Sequence, residues 1–205
     1  MNYGYAKSKL DGTEKRFEGI QDLDLPEEYS YIPYLPKVLN QGNNPICVPC
    51  SLSAHLNWNI NIEDGMNTRD NKIDLFQIYR KRSNVGDGMS FKEALHFLKH
   101  EGVESNAGLI KIKKYAMIGS IEPLKQAILL NGPCVGGLLV YDSISCKFWE
   151  KGYNCEGGHA ISIVGWNKEG FIIRNSWGTS FCNKGYTVIP YEDFDNFMEI
   201  WTIID

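Results

Sequence analysis

Several features of membrane, exported and nucleic-acid-binding proteins are missing from this sequence of 205 residues. It has no apolar stretch of about 18 residues, which argues against a membrane-spanning helix. Its first seven residues lack the apolar core of a signal peptide, so we expect a cytoplasmic protein, or one of the virion or host cytoplasm if the source is viral. No basic run occurs and the formal net charge is −4. Neither nucleic acid nor a membrane is therefore an expected partner.

Internal repeats and low-complexity tracts are also missing, and the composition is that of an ordinary globular chain. Hydrophobic residues make up 43% and charged residues 22% of the sequence, and a chain of this length can bury a sizeable core. We expect a monomer with an N-terminal extension over residues 1–21, followed by one domain over residues 22–205.

Cysteine is scarce but even in number, with six residues. Without an export signal we expect reduced thiols, and Cys146 with Cys155 is the pair to expect if the protein is exported. Cys47-Val48-Pro49-Cys50 has the spacing of a redox pair or of half a zinc site. A redox pair needs a preceding β-strand, whereas residues 40–46 are typical of a loop. A zinc site needs a second Cys or His pair at short spacing, which the sequence lacks.

The loop over residues 40–46 leads into Cys47, and apolar residues after it recur at helical spacing. This pattern predicts a helix from about Val48 to Ile60, with Pro49 tolerated in its first turn. Cys47 should then lie at the helix N-terminus, where unpaired N–H groups and the positive end of the dipole favour a thiolate. Gln41, six positions earlier, can place its side-chain amide beside the sulfur.

Helical patterns dominate the first half of the chain and strand patterns the second. Residues 22–39 contain the prolines and tyrosines of an extended arm. Ser90 and Glu93 form a capping-box pattern at the start of one helix. Beyond the helix after Cys47, helices are predicted over residues 75–82, 90–100 and 120–130, and strands over residues 134–140, 159–166, 170–175, 185–189 and 198–204. The order indicates an α+β protein with a helical lobe (about residues 40–130) and a β lobe (about residues 131–205 with the 22–39 arm) meeting at a cleft.

A nucleophilic thiol needs a base, and three of the four histidines are poorly placed for that role. His55 lies two helical turns beyond Cys47. His96 and His100 share a helix face at four-residue spacing, which is half of a metal site, but no matching acidic or cysteine pair accompanies them. A solvated or partly buried pair is the simpler interpretation.

His159 is different because it follows Glu156-Gly157-Gly158 and opens an apolar strand. Its ring can therefore project from a rigid element. Asn175 lies one strand later, and antiparallel pairing would bring its amide oxygen to the ring N–H and fix the tautomer. Trp177 could then shield this hydrogen bond from water.

These motifs together resemble the papain-like (C1) cysteine peptidases over about residues 22–205. The motifs are Gln41 to Cys47, Gly158-His159-Ala160 with Val164-Gly165-Trp166, and Asn175-Ser176-Trp177-Gly178 with Gly185-Tyr186. The resemblance implies a papain-like two-lobe α+β fold, with a helical N-terminal lobe, a β-barrel-like C-terminal lobe and the active site in the cleft.

The resemblance also implies the roles of individual residues. Cys47 is expected as the nucleophile, His159 as general base and acid, Asn175 as the residue that orients the imidazole, and Gln41 as the oxyanion-hole amide. No cofactor and no metal are implied.

The same resemblance implies a set of substrate-binding residues. Gly86-Asp87-Gly88 is similar to the family's glycine stretch that pairs with the substrate backbone, so Gly86 and Gly88 are expected to bind substrate. Gly158 and Trp177 complete this set.

Some features depart from the plant and lysosomal members. Val48 stands where the family has an aromatic residue, and Cys47 lies closer to His159 and Asn175 along the chain. About twenty residues precede the match, fewer than the usual inhibitory pro-domain has. We interpret the sequence as a divergent, non-lysosomal member of microbial or viral type that needs no separate maturation step.

The implied activity is that of a cysteine endopeptidase acting on peptide or protein substrates. A Cys47–His159 thiolate–imidazolium pair would form a thioester acyl-enzyme. Two alternatives stay open. One is a related acyl-transfer enzyme, namely an aminopeptidase, a deubiquitinase-like hydrolase or a ligase, and the other is a catalytically idle binding or structural module.

Overall fold

The computed structural model of the protein describes residues 3–63, 70–83, 86, 88–106 and 108–205. The α-helices are α1 (Cys47–Glu63), α2 (Leu75–Tyr79), α3 (Phe91–His100) and α4 (Ile121–Asn131), and two short 3-10 helices span Ile32–Tyr34 and Tyr191–Asn196. The strands are β1 (Tyr29–Ser30), β2 (Val103–Ser105), β3 (Gly108–Ile110), β4 (Lys114–Met117), β5 (Cys134–Val140), β6 (Gly157–Trp166), β7 (Gly170–Arg174), β8 (Tyr186–Pro190) and β9 (Glu199–Ile204). None of the helices in these ranges combines the length and the hydropathy that crossing a bilayer requires.

One large antiparallel sheet forms the second half of the chain. Its order is β4-β9-β5-β6-β7-β8, with β1 added to β6. The α+β class is confirmed, but the expected barrel is not closed. A barrel requires its two end strands to hydrogen-bond to each other, and within the described residues the end strands β4 and β8 do not pair.

The predicted helices and strands are found close to their expected bounds. Ser90 and Glu93 form the predicted capping box, with the Ser90 N–H donating to the Glu93 carboxylate at 2.9 Å. The short strands β2, β3 and β4 were not predicted. They have three or four residues each and face solvent in part. Their sequences are therefore too short to show a clear alternation of apolar and polar residues, and only pairing with other strands identifies them.

Helix α1 runs through the interior, and every residue from Cys47 to Asn57 is buried. Such a position suits a helix without a strong polar face, provided its buried polar groups are paired. The Ser51 hydroxyl donates to the Val48 carbonyl at 2.8 Å, and the Asn57 amide donates to the Ser53 carbonyl at 2.7 Å. Packing on all sides therefore holds Cys47, the first residue of the helix, in one place.

The arm over residues 22–39 is attached to the sheet by ring stacking and by a buried arginine. Tyr29 stacks on Trp166 with 5.5 Å between ring centroids. The Arg174 guanidinium donates to the Pro36 and Lys37 carbonyls, each at 2.8 Å. The chain that leads into the Cys47 loop is thereby tied to the end of β7.

The disulfide in the structure joins Cys146 and Cys182. The sequence predicts reduced thiols, with Cys155 as the partner of Cys146 if the protein is exported. Both predictions are wrong for Cys146, which is bonded to Cys182. The Thr187 hydroxyl donates to the Cys146 carbonyl at 2.9 Å, which brings the loop after β5 to the hairpin before β8. Cys155 is exposed and unpaired.

Candidate functional site

Gln41 reaches the site through a short antiparallel contact between residues 39–41 and 176–178. The Gln41 N–H donates to the Ser176 carbonyl at 2.8 Å, and the Gly178 N–H donates to the Leu39 carbonyl at 2.9 Å. The Gln41 side chain is buried, with its Oε1 accepting from the Ser176 hydroxyl at 2.6 Å and its Nε2 donating to the Asn44 carbonyl at 3.0 Å. Backbone pairing thus places this amide next to the residue that follows Asn175.

His159 and Asn175 are brought together by the antiparallel pairing of β6 and β7. The Nε2 of His159 and the Oδ1 of Asn175 are 2.8 Å apart. The same Oδ1 accepts from the Ser176 N–H at 2.7 Å. A backbone N–H can only donate, so the atom facing it must be the amide oxygen. His159 therefore carries its proton on Nε2 and leaves the Nδ1 lone pair as a base.

Aromatic rings enclose this hydrogen bond. Trp177 stacks on the His159 ring with 4.6 Å between centroids and 26° between planes. Phe148 packs edge-on against both rings, at 6.0 Å from His159 and 5.1 Å from Trp177. The imidazole is fully buried, and its Nδ1 has no hydrogen-bond partner among the described residues.

Cys47 lies beside the strand that carries His159. The backbone N–H of Ala160, the next residue along β6, lies close enough to the Cys47 sulfur to lower the pKa of the thiol. One turn further along α1, the Ser162 hydroxyl donates to the Ser51 carbonyl at 2.8 Å. Helix α1 and strand β6 therefore hold the thiol and the imidazole on adjacent elements.

The N-terminal segment, defined as residues 3–8, covers the thiol. The backbone of Gly4 also acts on the Cys47 thiol and lowers its pKa. The Met89 N–H donates to the Gly4 carbonyl at 2.8 Å, and the Ala6 N–H donates to the Met89 carbonyl at 3.0 Å. The Tyr5 N–H donates to the Gly158 carbonyl at 3.3 Å. The segment thus runs as an extended strand between the two sides of the cleft.

Glycine is required at position 4 because the segment passes so close to the Cys47 loop. A Cβ at Gly4 would lie 1.9 Å from the Pro45 carbonyl oxygen. Its neighbour Tyr3 packs edge-on against His159 at 6.1 Å and against Trp177 at 6.4 Å. Water is consequently excluded from both the sulfur and the imidazole.

Burial controls the protonation of both groups in this arrangement. It raises the pKa of the Cys47 thiol to about 11, against the opposing effect of the backbone N–H groups. It lowers the pKa of His159 to about 4, against the hydrogen bond to Asn175. The neutral thiol and neutral imidazole are therefore the favoured forms here, and the expected ion pair requires the N-terminal segment to move away.

Two of the glycines expected to bind substrate, Gly158 and Gly88, contact the N-terminal segment. Gly158 contacts the N-terminal segment, as described, and a Cβ at Gly88 would lie 3.1 Å from that of Ala6. Gly86 is exposed and its carbonyl accepts from the Arg82 guanidinium at 3.4 Å. Asp87 lies outside the described residues.

The remaining cysteine and histidine candidates are accounted for by packing. Cys50 is buried in α1, and burial, followed by the nearby Cys47, raises the pKa of its thiol. His55 is buried between the Pro133 carbonyl and the Asp205 carboxylate. His96 and His100 lie exposed with their ring centroids 4.3 Å apart. Within the described part of the chain, no group of three or more His, Cys, Asp or Glu residues is arranged to hold a metal.

Two features of the site were missed from the sequence. The N-terminal segment carries no pattern beyond a glycine between two tyrosines at positions 3–5, and nothing in it indicates a place in the cleft. Glu199, which binds the Tyr5 hydroxyl, is the one charged residue within the apolar run Met198 to Ile204. A lone charged residue in an apolar strand pattern is a signal that could have drawn attention to Glu199.

A thiol at a helix N-terminus, an imidazole on an adjacent strand and a carboxamide bound to that imidazole are the groups of cysteine-dependent acyl-transfer enzymes. A family model described as papain family cysteine protease matches residues 49–200. This chain therefore belongs to the papain family of cysteine proteases. The match includes His159 and Asn175, while Cys47 and Gln41 lie just ahead of it.

Curated relatives match shorter stretches. An uncharacterised peptidase C1-like protein of Acanthamoeba polyphaga mimivirus is 36% identical over 83 residues, which cover 35% of this chain and 27% of the relative. Cathepsin B-like cysteine proteinase 3 of Ostertagia ostertagi is 31% identical over 80 residues, covering 35% of this chain and 46% of the relative. The chain thus spans between about a quarter and a half of these relatives.

The fold extends over the whole chain. Xylellain, a cysteine protease from Xylella fastidiosa, superposes with a TM-score of 0.82 at 21% identity, covering 99% of this chain and 96% of that one. At this identity the likeness shows that the two proteins share a fold.

The shifted His159 pKa predicts an acid-dependent loss of stability. The imidazole is neutral in the fold above a pKa of about 4 but binds a proton below about pH 6.5 when unfolded. Stability from this residue is therefore complete above pH 6.5 and falls as the pH drops toward 4, by about 2 kcal/mol at pH 5. Urea denaturation at pH 8 and pH 5 measures the loss.

His159→Gln is the matched control, because it keeps a polar side chain that does not titrate in this range. The variant should lose about 2 kcal/mol less than the unaltered protein between pH 8 and pH 5. Equal losses in the two proteins would show that the imidazole is not held neutral in the fold.

Proposed function

We propose that this protein is a cysteine peptidase that hydrolyses peptide bonds of peptide or protein substrates and works as a monomer. The observation that carries the proposal is the orientation of His159. Its Nε2–H is committed to Asn175 Oδ1 at 2.8 Å, so Nδ1 is the atom available for proton transfer. Every proposed catalytic group comes from a single chain, which supports a monomer as the working unit.

In the proposed reaction, Nδ1 of His159 takes the Cys47 thiol proton and the sulfur attacks the substrate carbonyl carbon. Positive charge on the imidazole is stabilised by the Asn175 oxygen. The Cys47 N–H and the Gln41 amide are proposed to bind the oxyanion, a type of interaction whose removal costs about 2.7–4 kcal/mol. The imidazolium then protonates the departing amine as the C–N bond breaks, leaving a thioester.

Water completes the cycle. Nδ1 of His159 accepts a proton from the water while its oxygen attacks the thioester carbonyl. The C–S bond breaks, the carboxylic acid leaves and the Cys47–His159 pair is restored. No group beyond those of the chain, the substrate and water is needed to balance these steps.

The described arrangement is proposed to be a latent one. Residues 3–8 occupy the space that a substrate needs, and the Gly4 carbonyl oxygen accepts from the Met89 N–H at 2.8 Å. Moving it away would admit substrate and water together, and water would remove the burial that keeps both groups neutral.

The first functional prediction concerns the nucleophile. Cys47→Ala should abolish hydrolysis of a fluorogenic peptide, because it removes the proposed nucleophile. Cys50→Ala, the matched control from the same helix turn, should keep most of the activity. In the active enzyme the plot of kcat/KM against pH should be bell-shaped, with its acidic limb set by ionisation of the Cys47 thiol. Equal loss in both variants would contradict the assignment and favour a Cys47–Cys50 redox pair.

The second functional prediction concerns latency. Gly4→Ala should raise peptidase activity of the full chain by about tenfold or more, because a Cβ 1.9 Å from the Pro45 oxygen cannot coexist with the covered state and each 1.4 kcal/mol of strain shifts the balance about tenfold. Initial rates with the same fluorogenic peptide measure the change.

Lys7→Ala is the control for this experiment, since Lys7 is an exposed residue of the same segment. It should behave like the unaltered protein. A Gly4→Ala protein that is folded and active, yet no faster than the Lys7→Ala protein, would show that the segment does not limit access.

A further inference from the structure

Cys50 is a second buried thiol one helical turn beyond Cys47, and no step of the proposed reaction uses it. The two cysteines are the first and fourth residues of α1, and neither is bonded to another cysteine in the structure. An α-helix places residues at this spacing on one face, with their Cα atoms about 5 Å apart. A disulfide needs a Cα separation of about 4.4–6.8 Å. The two thiols therefore meet the first requirement for a disulfide with each other.

The first turn of the helix has the freedom to close such a bond. The Cβ atoms must approach each other by about 1–2 Å relative to regular helical spacing. The first N–H groups of a helix have no acceptor inside it, and Pro49 has no N–H at all. The Cys50 N–H donates to the Ile46 carbonyl at 3.0 Å, in the loop ahead of the helix. Bending the turn at Cys47 therefore breaks no intrahelical bond from the N–H groups of residues 47–49.

A buried cation lies close to Cys50. The Arg174 guanidinium donates to the carbonyls of residues 36 and 37, each at 2.8 Å, and it has no carboxylate partner across the ranges that the structure describes. Burial, followed by the nearby Cys47, raises the pKa of the Cys50 thiol, and the Arg174 charge opposes that rise. This charge favours the thiolate, which is the form that attacks another sulfur.

We propose that Cys50 is the resolving thiol for an oxidised Cys47, and that the two residues form a reversible disulfide when the uncovered site meets a peroxide. The inference rests on the proposed function in one respect, namely that Cys47 is the reactive thiol. A Cys-x-x-Cys pair at a helix N-terminus is the arrangement in which disulfide oxidoreductases form and open this bond. Here the pair protects the nucleophile and passes no electrons to a substrate, so it needs no β-strand ahead of the helix.

The steps balance with hydrogen peroxide as the oxidant. The Cys47 thiolate attacks one peroxide oxygen, the O–O bond breaks, and the sulfur becomes a sulfenic acid while hydroxide leaves and takes up a proton. The Cys50 thiolate attacks that sulfur, the S–O bond breaks and a second water forms. The pair loses two electrons to the peroxide, and a dithiol reductant returns them by thiol–disulfide exchange. Without Cys50, further peroxide oxidises Cys47 to sulfinic and sulfonic acids, which a dithiol does not reduce.

The test uses the full chain with Cys155→Ala, which removes the exposed thiol. Hydrogen peroxide is added for equal times to this parent protein and to the same protein with Cys50→Ala, and free thiols are then alkylated in denaturant. Trypsin releases residues 38–69 as one peptide that contains both cysteines. In the parent this peptide should carry no alkyl label and be lighter by two hydrogen atoms. Dithiol treatment should restore at least about tenfold more Cys47 thiol in the parent than in the Cys50→Ala protein.

Cys134→Ala is the matched control, because Cys134 is also a buried, unbonded cysteine but lies on β5. It should recover its Cys47 thiol as fully as the parent does. Recovery in the Cys50→Ala protein that equals the parent would overturn the proposal. So would a parent protein in which Cys47 stays a thiol throughout, or one in which Cys47 is bonded to Cys146 or Cys182.

The mass measurement separates this inference from the proposed chemistry, because it does not depend on hydrolysis. A Cys47–Cys50 disulfide in a protein that cleaves no peptide supports the pair and counts against the peptidase. An active peptidase whose Cys47 oxidises directly to the sulfinic acid, with Cys50 still alkylated, rejects the pair and leaves the proposed function standing.

Discussion

The amide oxygen of Asn175 is the acceptor on which the arrangement of the site depends. It receives one hydrogen bond from the Ser176 backbone and one from the His159 ring. The backbone donor fixes which end of the amide is the oxygen, and the oxygen fixes which ring nitrogen is protonated. A local backbone contact thereby determines where a base can act, and the same turn anchors the Gln41 side chain.

While residues 3–8 cover the site, the packing that holds Cys47 and His159 in place also disfavours their charged forms. Helix α1 and strand β6 hold Cys47 and His159 by packing on all sides, and the N-terminal segment closes the last open face. The dry surroundings that keep the groups in place also favour their uncharged forms. In the proposed enzyme, substrate access and activation of the thiol are for this reason the same event, because both need the segment to leave.

Local sequence patterns were enough to predict the elements that carry the site. The helix after Cys47, the capped helix at Ser90 and the antiparallel strands bearing His159 and Asn175 all have strong short-range signals. The position of residues 3–8 could not be predicted, since it depends on contacts with residues 83 to 194 positions away along the chain. The edge strand β4 could not be predicted for the same reason, because it is defined by pairing with β9 and by backbone hydrogen bonds from Met117 to residues 15–17, which are distant in the sequence.

The surroundings of the Glu199 carboxylate are set by long-range contacts rather than by its neighbours in the sequence. Within its strand it is an isolated charge among apolar side chains, a pattern that singles out the residue but does not identify its hydrogen-bond partners. Only the fold brings the Tyr5 hydroxyl and the Ser8 N–H to it.

The Cys146–Cys182 bond links thiol chemistry at the surface to the environment of the imidazole. It closes a stretch of 36 residues that includes Phe148, which packs against His159 and Trp177. A cross-link of this span contributes on the order of 4 kcal/mol through chain entropy. Reductants added to keep Cys47 as a thiol also reduce this bond. The redox potential of the solution therefore affects both the proposed nucleophile and the loop that holds Phe148 against His159.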